Sequence, residues 1–373
     1  MSRMGLSFDE LSARIRNWPS TPAARHATRI TAVDTHTAGE PTRIVVSGYP
    51  EPRGDTMLER KRYYATEHDD LRRALMFEPR GHRDMFGAVL MPPTDDRADV
   101  GVVYMDTGGY LNMCGHGTIG VSAMLAATGA VQPSQDSQVR VRLDTPAGLV
   151  RAEVEVDRED GSVQQVTVEN VPAYVDRWQR IVHTRRGDIP VTIAFGGSFF
   201  ALVDPRTLGL PLEAGHIPEL IDAGMDLLAQ LRRMPDQPVH PVLDIRGVDL
   251  VEFSAPSATP GVDVRNVVVF GDGQVDRSPC GTGSSARVAE LCAAGRLRVG
   301  EQIVVESLTG SQFRVAGLRK VRVGHKEAIV PQISGNAYIT GVGDYILDTA
   351  DPNCFGFQLG ARTFDRGSQT AAA

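Results

Sequence analysis

The sequence predicts a mixed α/β protein built from two similar halves, in each of which a curled β-sheet surrounds one central helix. Three observations predict this fold class: a motif that recurs after 166 residues, an apolar helix after each copy, and β-patterned segments before and after each helix. A helix that is apolar on nearly every face belongs inside a core. The strands that flank it in the sequence are therefore expected to wrap around it.

Two cysteines mark the repeat. Counted from Cys114 and from Cys280, glycine recurs at positions +1, +3 and +15, alanine at +9 and +13, and leucine at +11. Six matches in one register indicate that a structural unit of the chain is duplicated. The glycines at +15 stand where a left-handed glycine ends many helices, so each motif predicts a helix that runs from the cysteine to that glycine.

The elements around the two motifs follow the same order in both halves. Each half begins with a strand–turn–strand segment, over 30–46 and 191–203, and continues with a helix, over 67–77 and 218–234. A strand precedes each cysteine, and β-patterned sequence with a glycine turn follows each repeat helix. The organisation expected from this order is an N-terminal appendage over 1–27, a first domain over 28–180, a second domain over 181–340 and a C-terminal tail over 341–373 that packs back on the domains.

Charge and cysteine content exclude several classes of function. The chain has 373 residues and a formal net charge of −7, whereas a general nucleic-acid binder needs a basic face. It has no apolar run of the roughly 18 residues that a membrane helix needs, and its first residues lack the apolar core of a signal peptide. Four cysteines are too few for a disulfide scaffold. We therefore expect a reduced, cytoplasmic protein.

The two cysteines stand at predicted helix N-termini, where backbone N–H groups are unpaired and the helix dipole places about half a positive charge. A thiolate is favoured there, so we expect the pKa of Cys114 and Cys280 to fall toward neutrality. A carboxylate can dock on the same N–H groups, and the neighbouring glycines allow close approach to the backbone. If the halves face each other, a thiolate and a thiol flank a single carbon. That pair suits inversion of a stereocentre next to a carboxylate, with a base on one face and an acid on the other.

Two ligand-binding interpretations of the same motifs stay open at this point. Each glycine run fits the spacing of a dinucleotide-binding turn, although a loop rather than a tight turn precedes it. Cys114, His116, Asp276 and Cys280 are residue types that bind zinc, although neither a C-x-x-C nor an H-x-x-x-H spacing occurs. These interpretations predict a bound nucleotide and a bound metal, respectively.

Structural and non-catalytic roles are also consistent with several of these residues. Cys292 and Cys354 are expected to be small buried hydrophobes. His116 and Asp276, taken alone, fit capping or turn roles equally well. A small-molecule binder without turnover and a thiol-redox protein would also use paired cysteines.

Five segments of the chain resemble the proline racemase family, which includes hydroxyproline 2-epimerases and trans-3-hydroxyproline dehydratases. They are DTHTAGEPTR (34–43), EPRGHRDMFG (78–87), MCGHGTIG (113–120), GGSFFALVD (196–204) and DRSPCGTGSSAR (276–287). The two cysteine motifs are the most specific part, and residues 1–27 fall outside the resemblance. The resemblance implies the diaminopimelate-epimerase-like fold, in which two pseudo-symmetric domains, each a curled sheet or barrel around a central helix, hold the site between them.

The resemblance also implies roles for individual residues. Cys114 and Cys280 match the family's two catalytic thiols, and His116 and Asp276 match side chains near the ring nitrogen of the substrate. The positions whose backbone amides bind the substrate carboxylate are matched by Gly115, His116, Gly281 and Thr282. The aromatic positions that line the ring pocket are matched by Phe86 and Phe270. No cofactor or metal is expected, the partner is a small-molecule substrate rather than a nucleic acid or a membrane, and the family is often dimeric.

The activity implied by the resemblance is that of an isomerase, a cofactor-independent racemase or epimerase that inverts Cα of proline or 4-hydroxyproline by two-base proton transfer. In the family's dehydratases one catalytic cysteine is usually threonine. Both positions are cysteine here, which favours inversion over a trans-3-hydroxyproline dehydratase-like lyase. Phe86 is typical of proline racemases, because a phenyl ring gives a 4-hydroxyl group no partner. The motif CGHGTIG is common among hydroxyproline epimerases, so both substrates stay open.

Overall fold

The computed structural model describes residues 7–16, 27–132 and 138–359. Of the expected N-terminal appendage it describes residues 7–16, which include the helix Phe8–Arg16, and residue 27. The remaining residues of the appendage, and residues 360–373 of the expected tail, lie outside the described ranges.

Six α-helices and eighteen strands are assigned within those ranges, together with two short 3-10 helices over Pro205–Leu208 and Ala214–His216. The helices are α1 (Phe8–Arg16), α2 (Met57–Glu67), α3 (Asp69–Met76), α4 (Gly115–Ala127), α5 (Ile217–Arg233) and α6 (Gly281–Ala293). The strands up to residue 169 are β1 (Ala27–Thr37), β2 (Glu40–Ser47), β3 (Phe86–Met91), β4 (Val100–Asp106), β5 (Tyr110–Leu111), β6 (Gln138–Thr145), β7 (Gly148–Val156) and β8 (Val163–Glu169). The later strands are β9 (Tyr174–Thr184), β10 (Gly187–Phe195), β11 (Phe199–Val203), β12 (Leu250–Pro256), β13 (Val264–Phe270), β14 (Gln274–Val275), β15 (Gln302–Glu306), β16 (Gln312–Val323), β17 (Lys326–Gly335) and β18 (Ala337–Asp348).

The first half is one continuous curled sheet. In it β1 pairs antiparallel with β2, β2 parallel with β3, and β3 antiparallel with β4. β4 then pairs parallel with β6, and β6, β7 and β8 form an antiparallel meander. The strand–turn–strand segment expected over 30–46 is the β1–β2 hairpin, and the helix expected over 67–77 is α3.

The second half repeats these pairings strand for strand. β10 pairs antiparallel with β11, β11 parallel with β12, and β12 antiparallel with β13. β13 pairs parallel with β15, and β15, β16 and β17 form the matching meander. The short strands β5 and β14 lie beside β4 and β13, respectively. The repeat in the sequence is thus a repeat of topology, and the predicted fold class is confirmed.

Three further pairings join and complete the halves. β8 pairs antiparallel with β17, which makes the two sheets continuous. β18 pairs along the length of β1, in the place that β9 takes beside β10. The chain after residue 337 therefore returns to the first half. Residue 180, the expected domain boundary, lies inside β9, which is paired to the second half.

The two repeat helices fill the centres of the curled sheets. Every residue of α4 from Gly115 to Leu125 is buried, as expected of a helix that lacks a polar face. α6 is buried in the same way from Gly281 to Ala286. Side chains alternate between buried and exposed along β6 and β7, so one face of this sheet packs against the helix. None of the helices within the described ranges is long and apolar enough to cross a membrane.

A buried arginine fixes the segment that leads to the site. The guanidinium of Arg43 donates to Asp34 at 3.0 Å and to the carbonyl oxygens of Leu75 and Arg80 at 2.8 and 2.6 Å. Because these bonds join β1 and β2 to the end of α3 and the following loop, they hold the approach to β3, which begins at Phe86.

The packing of α4 gives a prediction about stability. Ile119 is fully buried at the centre of α4, so Ile119→Ala should leave a cavity and lower the free energy of unfolding by about 2–5 kcal/mol. Denaturant unfolding measures this change. Val342→Ala removes an exposed side chain of β18 and should change the same quantity by less than about 0.5 kcal/mol. Equal effects of the two substitutions would contradict the central position of α4.

Candidate active site

The site lies where the N-termini of α4 and α6 meet. A methyl group added to Gly281 would lie 2.7 Å from the Cα of Gly115, and one added to Gly115 would overlap the Cα of Gly281. Real Cβ atoms do not approach backbone so closely. The first residues of the two central helices are therefore in direct backbone contact, which only glycine at both positions allows.

Each cysteine caps its own helix in the same way. The Sγ atom of Cys114 accepts the N–H of Gly117 at 3.2 Å, and that of Cys280 accepts the N–H of Gly283 at 3.4 Å. Both thiols are almost fully buried. Cys280 has a φ of 53°, in the left-handed region that non-glycine residues rarely adopt. Such strain is retained where the surrounding structure requires one position of a side chain, which is common at functional sites.

A small cavity of about 20 Å³ lies at this junction. Seven predicted site residues line it: Cys114, Cys280, His116, Asp276, Thr282, Phe86 and Phe270. The other two, Gly115 and Gly281, form the adjacent backbone contact. The lining residues that the sequence did not indicate are Leu111, Met113 and Leu250. The structure thus brings all nine predicted residues together at one place between the halves.

The polar groups in the cavity come from corresponding positions of the two motifs. His116, two residues after Cys114, places Nδ1 at 3.3 Å from the Cys114 Sγ atom. Thr282, two residues after Cys280, places Oγ1 at 3.7 Å from the Cys280 Sγ atom. Each thiol therefore has one polar neighbour from its own helix.

Asp276 and His116 form a polar pair across the halves. The Oδ2 atom of Asp276 lies 3.8 Å from Nδ1 of His116. The other carboxyl oxygen of Asp276 accepts the N–H and the hydroxyl of Ser278 at 2.8 and 2.7 Å, which fixes the orientation of the carboxyl group. Burial lowers the pKa of His116, and the charge of Asp276 opposes that shift. The oriented carboxylate of Asp276 is placed to bind a positively charged nitrogen of a ligand in this cavity.

The aromatic residues form the apolar side of the cavity. The ring of Phe86 packs edge-on against His116 with centroids 4.4 Å apart, and it lies 6.5 Å from the ring of Phe270. Both rings are buried, and a phenyl ring has no polar atom with which to form a hydrogen bond to a ligand in this part of the cavity. The cavity therefore has one polar side, formed by the helix starts, and one apolar side.

The electrostatics of the thiols differ from the sequence-based expectation. Burial raises the pKa of both Cys114 and Cys280 well above the ordinary value of a thiol, and the charge of Asp276 raises both further. The N–H groups of Gly117 and Gly283 act in the opposite direction. The prediction of a lowered thiol pKa is therefore wrong for this buried site, because the loss of solvent outweighs the helix-start donors.

Two buried carboxyl groups near the cysteines were not predicted. Glu252 is fully buried on β12 against Gly283, and neither of its carboxyl oxygens has a hydrogen-bond partner among the described residues. Burial raises the pKa of Glu252 to about 7, which Arg287 partly opposes. Glu40 is also fully buried, and it accepts the backbone N–H of Arg277 at 2.7 Å. A single glutamate in the apolar strand LVEFSAP is the signal that could have indicated Glu252.

The structure also bears on the nucleotide-binding and metal-binding interpretations. The first glycines of the two runs pack on each other, so these runs are not open to a pyrophosphate. Cys114, His116, Asp276 and Cys280 do meet in the cavity. No group of three or more such side chains within the described ranges has a spacing that could hold a metal ion.

Comparison with known proteins identifies the family. The sequence profile of the family described as "Proline racemase" matches residues 32–358, which is most of the chain. The chain belongs to the proline racemase family. The chain is 43% identical to the proline racemase of Acetoanaerobium sticklandii and 42% identical to the 4-hydroxyproline 2-epimerase of Streptosporangium roseum. Each match covers 88% of this chain and 98% of the relative.

A solved structure confirms the fold within this family. The chain superimposes on a hydroxyproline epimerase from Agrobacterium vitis, solved with bound trans-4-hydroxy-L-proline, with a TM-score of 0.84. That match has 34% sequence identity and covers 89% of this chain and 96% of the other. The resemblance found in the five sequence segments is thereby confirmed, and the named relatives are isomerases.

The contact between helix starts predicts the effect of one added methyl group. Gly115→Ala should push the two helix starts apart and lower the free energy of unfolding by about 1–3 kcal/mol, which unfolding in denaturant measures. Gly343→Ala adds the same methyl group where nothing lies within 4 Å and should leave this free energy unchanged. Equal stability of the two variants would refute the close contact.

The burial of Glu252 predicts a pH dependence of stability. Its pKa is about 7 in the folded protein and 4.5 for an unperturbed glutamate, so only the folded state holds this proton between those values. The stability that this proton provides is present below pH 4.5 and is lost as the pH rises to 7. Relative to wild type, Glu252→Gln should therefore gain on the order of 3 kcal/mol of unfolding free energy between pH 4.5 and 7.

Unfolding in denaturant at a series of pH values measures this difference. Glu155→Gln changes an exposed carboxyl group on β7 and serves as the matched control, for which the difference from wild type should not depend on pH. A difference between Glu252→Gln and wild type that is equally flat would show that Glu252 ionises normally in the folded protein.

Proposed function

We propose that this member of the proline racemase family inverts Cα of proline or 4-hydroxyproline without a cofactor, with Cys114 and Cys280 as opposed acid–base groups. The observation that carries the proposal is the contact between two cysteine-capped helix N-termini at one cavity. Two thiols at one junction supply a base for one face of a stereocentre and an acid for the other.

The substrate carboxylate would lie at the helix starts. The backbone N–H groups at Gly115, His116, Gly281 and Thr282 belong to the first turns of α4 and α6, where donors are unpaired within the helix. Two positive helix ends meet here, so negative charge is favoured. When Cα loses its proton, charge spreads onto the carboxylate, and these donors stabilise it in the transition state.

The proton transfer uses one thiolate and one thiol. For one enantiomer, the Cys280 thiolate takes the Cα proton and the Cys114 thiol gives its own proton to the opposite face of the carbon. The pair then stands in the reversed protonation state, and the other enantiomer reacts in the reverse sense. Because burial disfavours a thiolate in the site, the positive charge of the substrate nitrogen, held near Asp276 and His116, offsets part of that cost.

The small size of the cavity implies that its walls, which come from both halves, move apart during each cycle. A volume of about 20 Å³ holds about one water molecule and is smaller than an imino acid. Substrate entry therefore requires the cavity to widen. Closure around the substrate excludes water and strengthens the electrostatic interactions of the thiols and the helix-start donors.

The apolar walls favour proline as the substrate. Phe86, Leu250 and Phe270 line the ring side of the cavity without a hydrogen-bonding group. A 4-hydroxyl group buried against them would lose its bonds to water without replacement, at a cost of about 1–3 kcal/mol. Polarimetry of L-proline against trans-4-hydroxy-L-proline tests this preference, and we expect the larger kcat/KM with proline.

The proposal also includes the cellular location and the oligomeric state of the protein. All four cysteines are free, which agrees with a reduced, cytoplasmic location. A homodimer stays a prediction from the family resemblance.

The two-thiol mechanism predicts the behaviour of serine variants. Cys114→Ser and Cys280→Ser should each lower the rate of inversion by about 100-fold or more, because a hydroxyl is a poor base at neutral pH. Polarimetry follows the inversion, and incorporation of deuterium at Cα in deuterium oxide follows proton abstraction. Cys292→Ser, which changes a partly buried cysteine outside the catalytic cavity, is the matched control and should keep full activity.

Two outcomes would oppose the proposal. Full inversion by either serine variant would show that two thiols are not required. Binding of pyrrole-2-carboxylate, which is flat like the deprotonated substrate, without any turnover of proline or hydroxyproline would favour a non-catalytic imino-acid-binding protein.

A further inference from the structure

A second and larger cavity, which we call the vestibule, adjoins the catalytic cavity. It has a volume of about 590 Å³, and its walls come from both halves of the protein. Leu111 and Phe270 line both cavities and form the partition between them. A substrate that enters the catalytic cavity from the vestibule passes this partition.

The rim of the vestibule carries an ion pair that joins the halves. The guanidinium of Arg62, on α2, lies 2.6 Å from the carboxylate of Asp244 in the second half, and Arg246 lies 2.9 Å from the same carboxylate. All three side chains are half-exposed or more. One carboxylate is thus shared by two guanidinium groups, which leaves a positive charge at the rim.

The inner wall carries opposite charges closer to the catalytic cavity. Asp249 directly precedes Leu250, which lines that cavity. Burial raises the pKa of Asp249 to about 6, while Lys61 and Arg232 oppose the shift, so its carboxylate is charged above that pH. The ammonium group of Lys61 donates to Asn112 at 2.5 Å and has no carboxylate within hydrogen-bond distance among the described residues.

The remaining acidic group of the lining is already held. The carboxylate of Asp106 accepts the N–H groups of Gly108 and Gly109 at 2.6 and 2.8 Å. The vestibule is therefore lined by three carboxylates and by four cationic side chains: Lys61, Arg62, Arg232 and Arg246. Of the three carboxylates, Asp249 is the one that lies on the inner wall and accepts no hydrogen bond from a described side chain.

We propose that the vestibule is an outer binding site for the zwitterionic imino acid, which it holds before the halves separate. The carboxylate of the ligand binds the guanidinium groups of Arg62 and Arg246, and its ammonium group faces Asp249. A guanidinium binds a carboxylate through two parallel hydrogen bonds, which makes this end of the site selective for the acid group. The inference rests on the proposed function for the identity of the ligand.

A simpler interpretation is that the Arg62–Asp244 ion pair only holds the two halves together, a role that we call a latch. The two roles predict different signs for two substitutions. A latch is broken equally by Arg62→Gln and by Asp244→Asn, so both should change kcat/KM in the same direction. If the vestibule is an outer binding site, Arg62→Gln removes a guanidinium group that binds the carboxylate of the imino acid. Asp244→Asn instead removes the protein carboxylate that competes with the imino acid for both arginines.

Steady-state polarimetry with L-proline distinguishes these roles. We expect Arg62→Gln to lower kcat/KM by about three- to fivefold with kcat nearly unchanged, and Asp244→Asn to raise kcat/KM by about twofold. Arg206→Gln breaks an exposed pair with Asp204 that lines neither cavity and is the matched control, with no change expected. Shifts of the same sign in Arg62→Gln and Asp244→Asn, or no shift in either, would overturn the inference.

Crystals of Cys114→Ser grown with L-proline test the site without turnover. The inference predicts proline in the vestibule with its carboxylate on Arg62 and Arg246, and no proline there in the double variant Cys114→Ser, Arg62→Gln. A vestibule that stays without proline, or proline bound equally in both variants, would overturn it. Failure of the wild-type protein to invert either proline or hydroxyproline would instead overturn the proposed function, and the crystals would still decide whether the vestibule binds an imino acid.

Discussion

The backbone contact between Gly115 and Gly281 is the constraint on which the rest of this structure depends. Two helices can meet end to end at this distance only if neither first residue has a side chain. The contact sets the positions of the two capping thiols, because each is attached to the residue before a contacting glycine. Each of the two helices is held in a core of its own, inside one copy of the repeated sheet topology.

This arrangement buries several titratable groups together. Two thiols, an imidazole and three carboxyl groups lie buried around the junction, and burial raises the pKa of Cys114, Cys280 and Glu252, which favours their neutral forms. Two positive helix ends and the carboxylate of Asp276 are matched to a ligand that brings both an anionic and a cationic group. In the proposed function, burial of the site serves binding and catalysis together, since each interaction is stronger in a low dielectric.

The sequence predicted the features that depend on local pattern. The glycine spacing after Cys114 and Cys280 predicted both helix starts, and the lack of a polar face predicted that both helices are central. It could not predict features that depend on which elements meet in space. The pairing of β18 with β1 joins strands about 310 residues apart, roughly the whole chain, and has no local signal in hydropathy. The raised thiol pKa values come from burial in the folded protein, and the apposition of Glu252 to Gly283 joins segments distant in sequence.

In the proposed mechanism two sulfur atoms face one carbon from opposite sides. A crystal structure of the wild-type protein with pyrrole-2-carboxylate would show their positions, because that ligand is planar at the carbon that corresponds to Cα. We expect its carboxylate on the N–H groups of both helix starts, with one Sγ atom above and the other below that carbon, each within about 4 Å. If both Sγ atoms lie on the same face of the ring, or if one of them does not contact it, the two-thiol mechanism is ruled out.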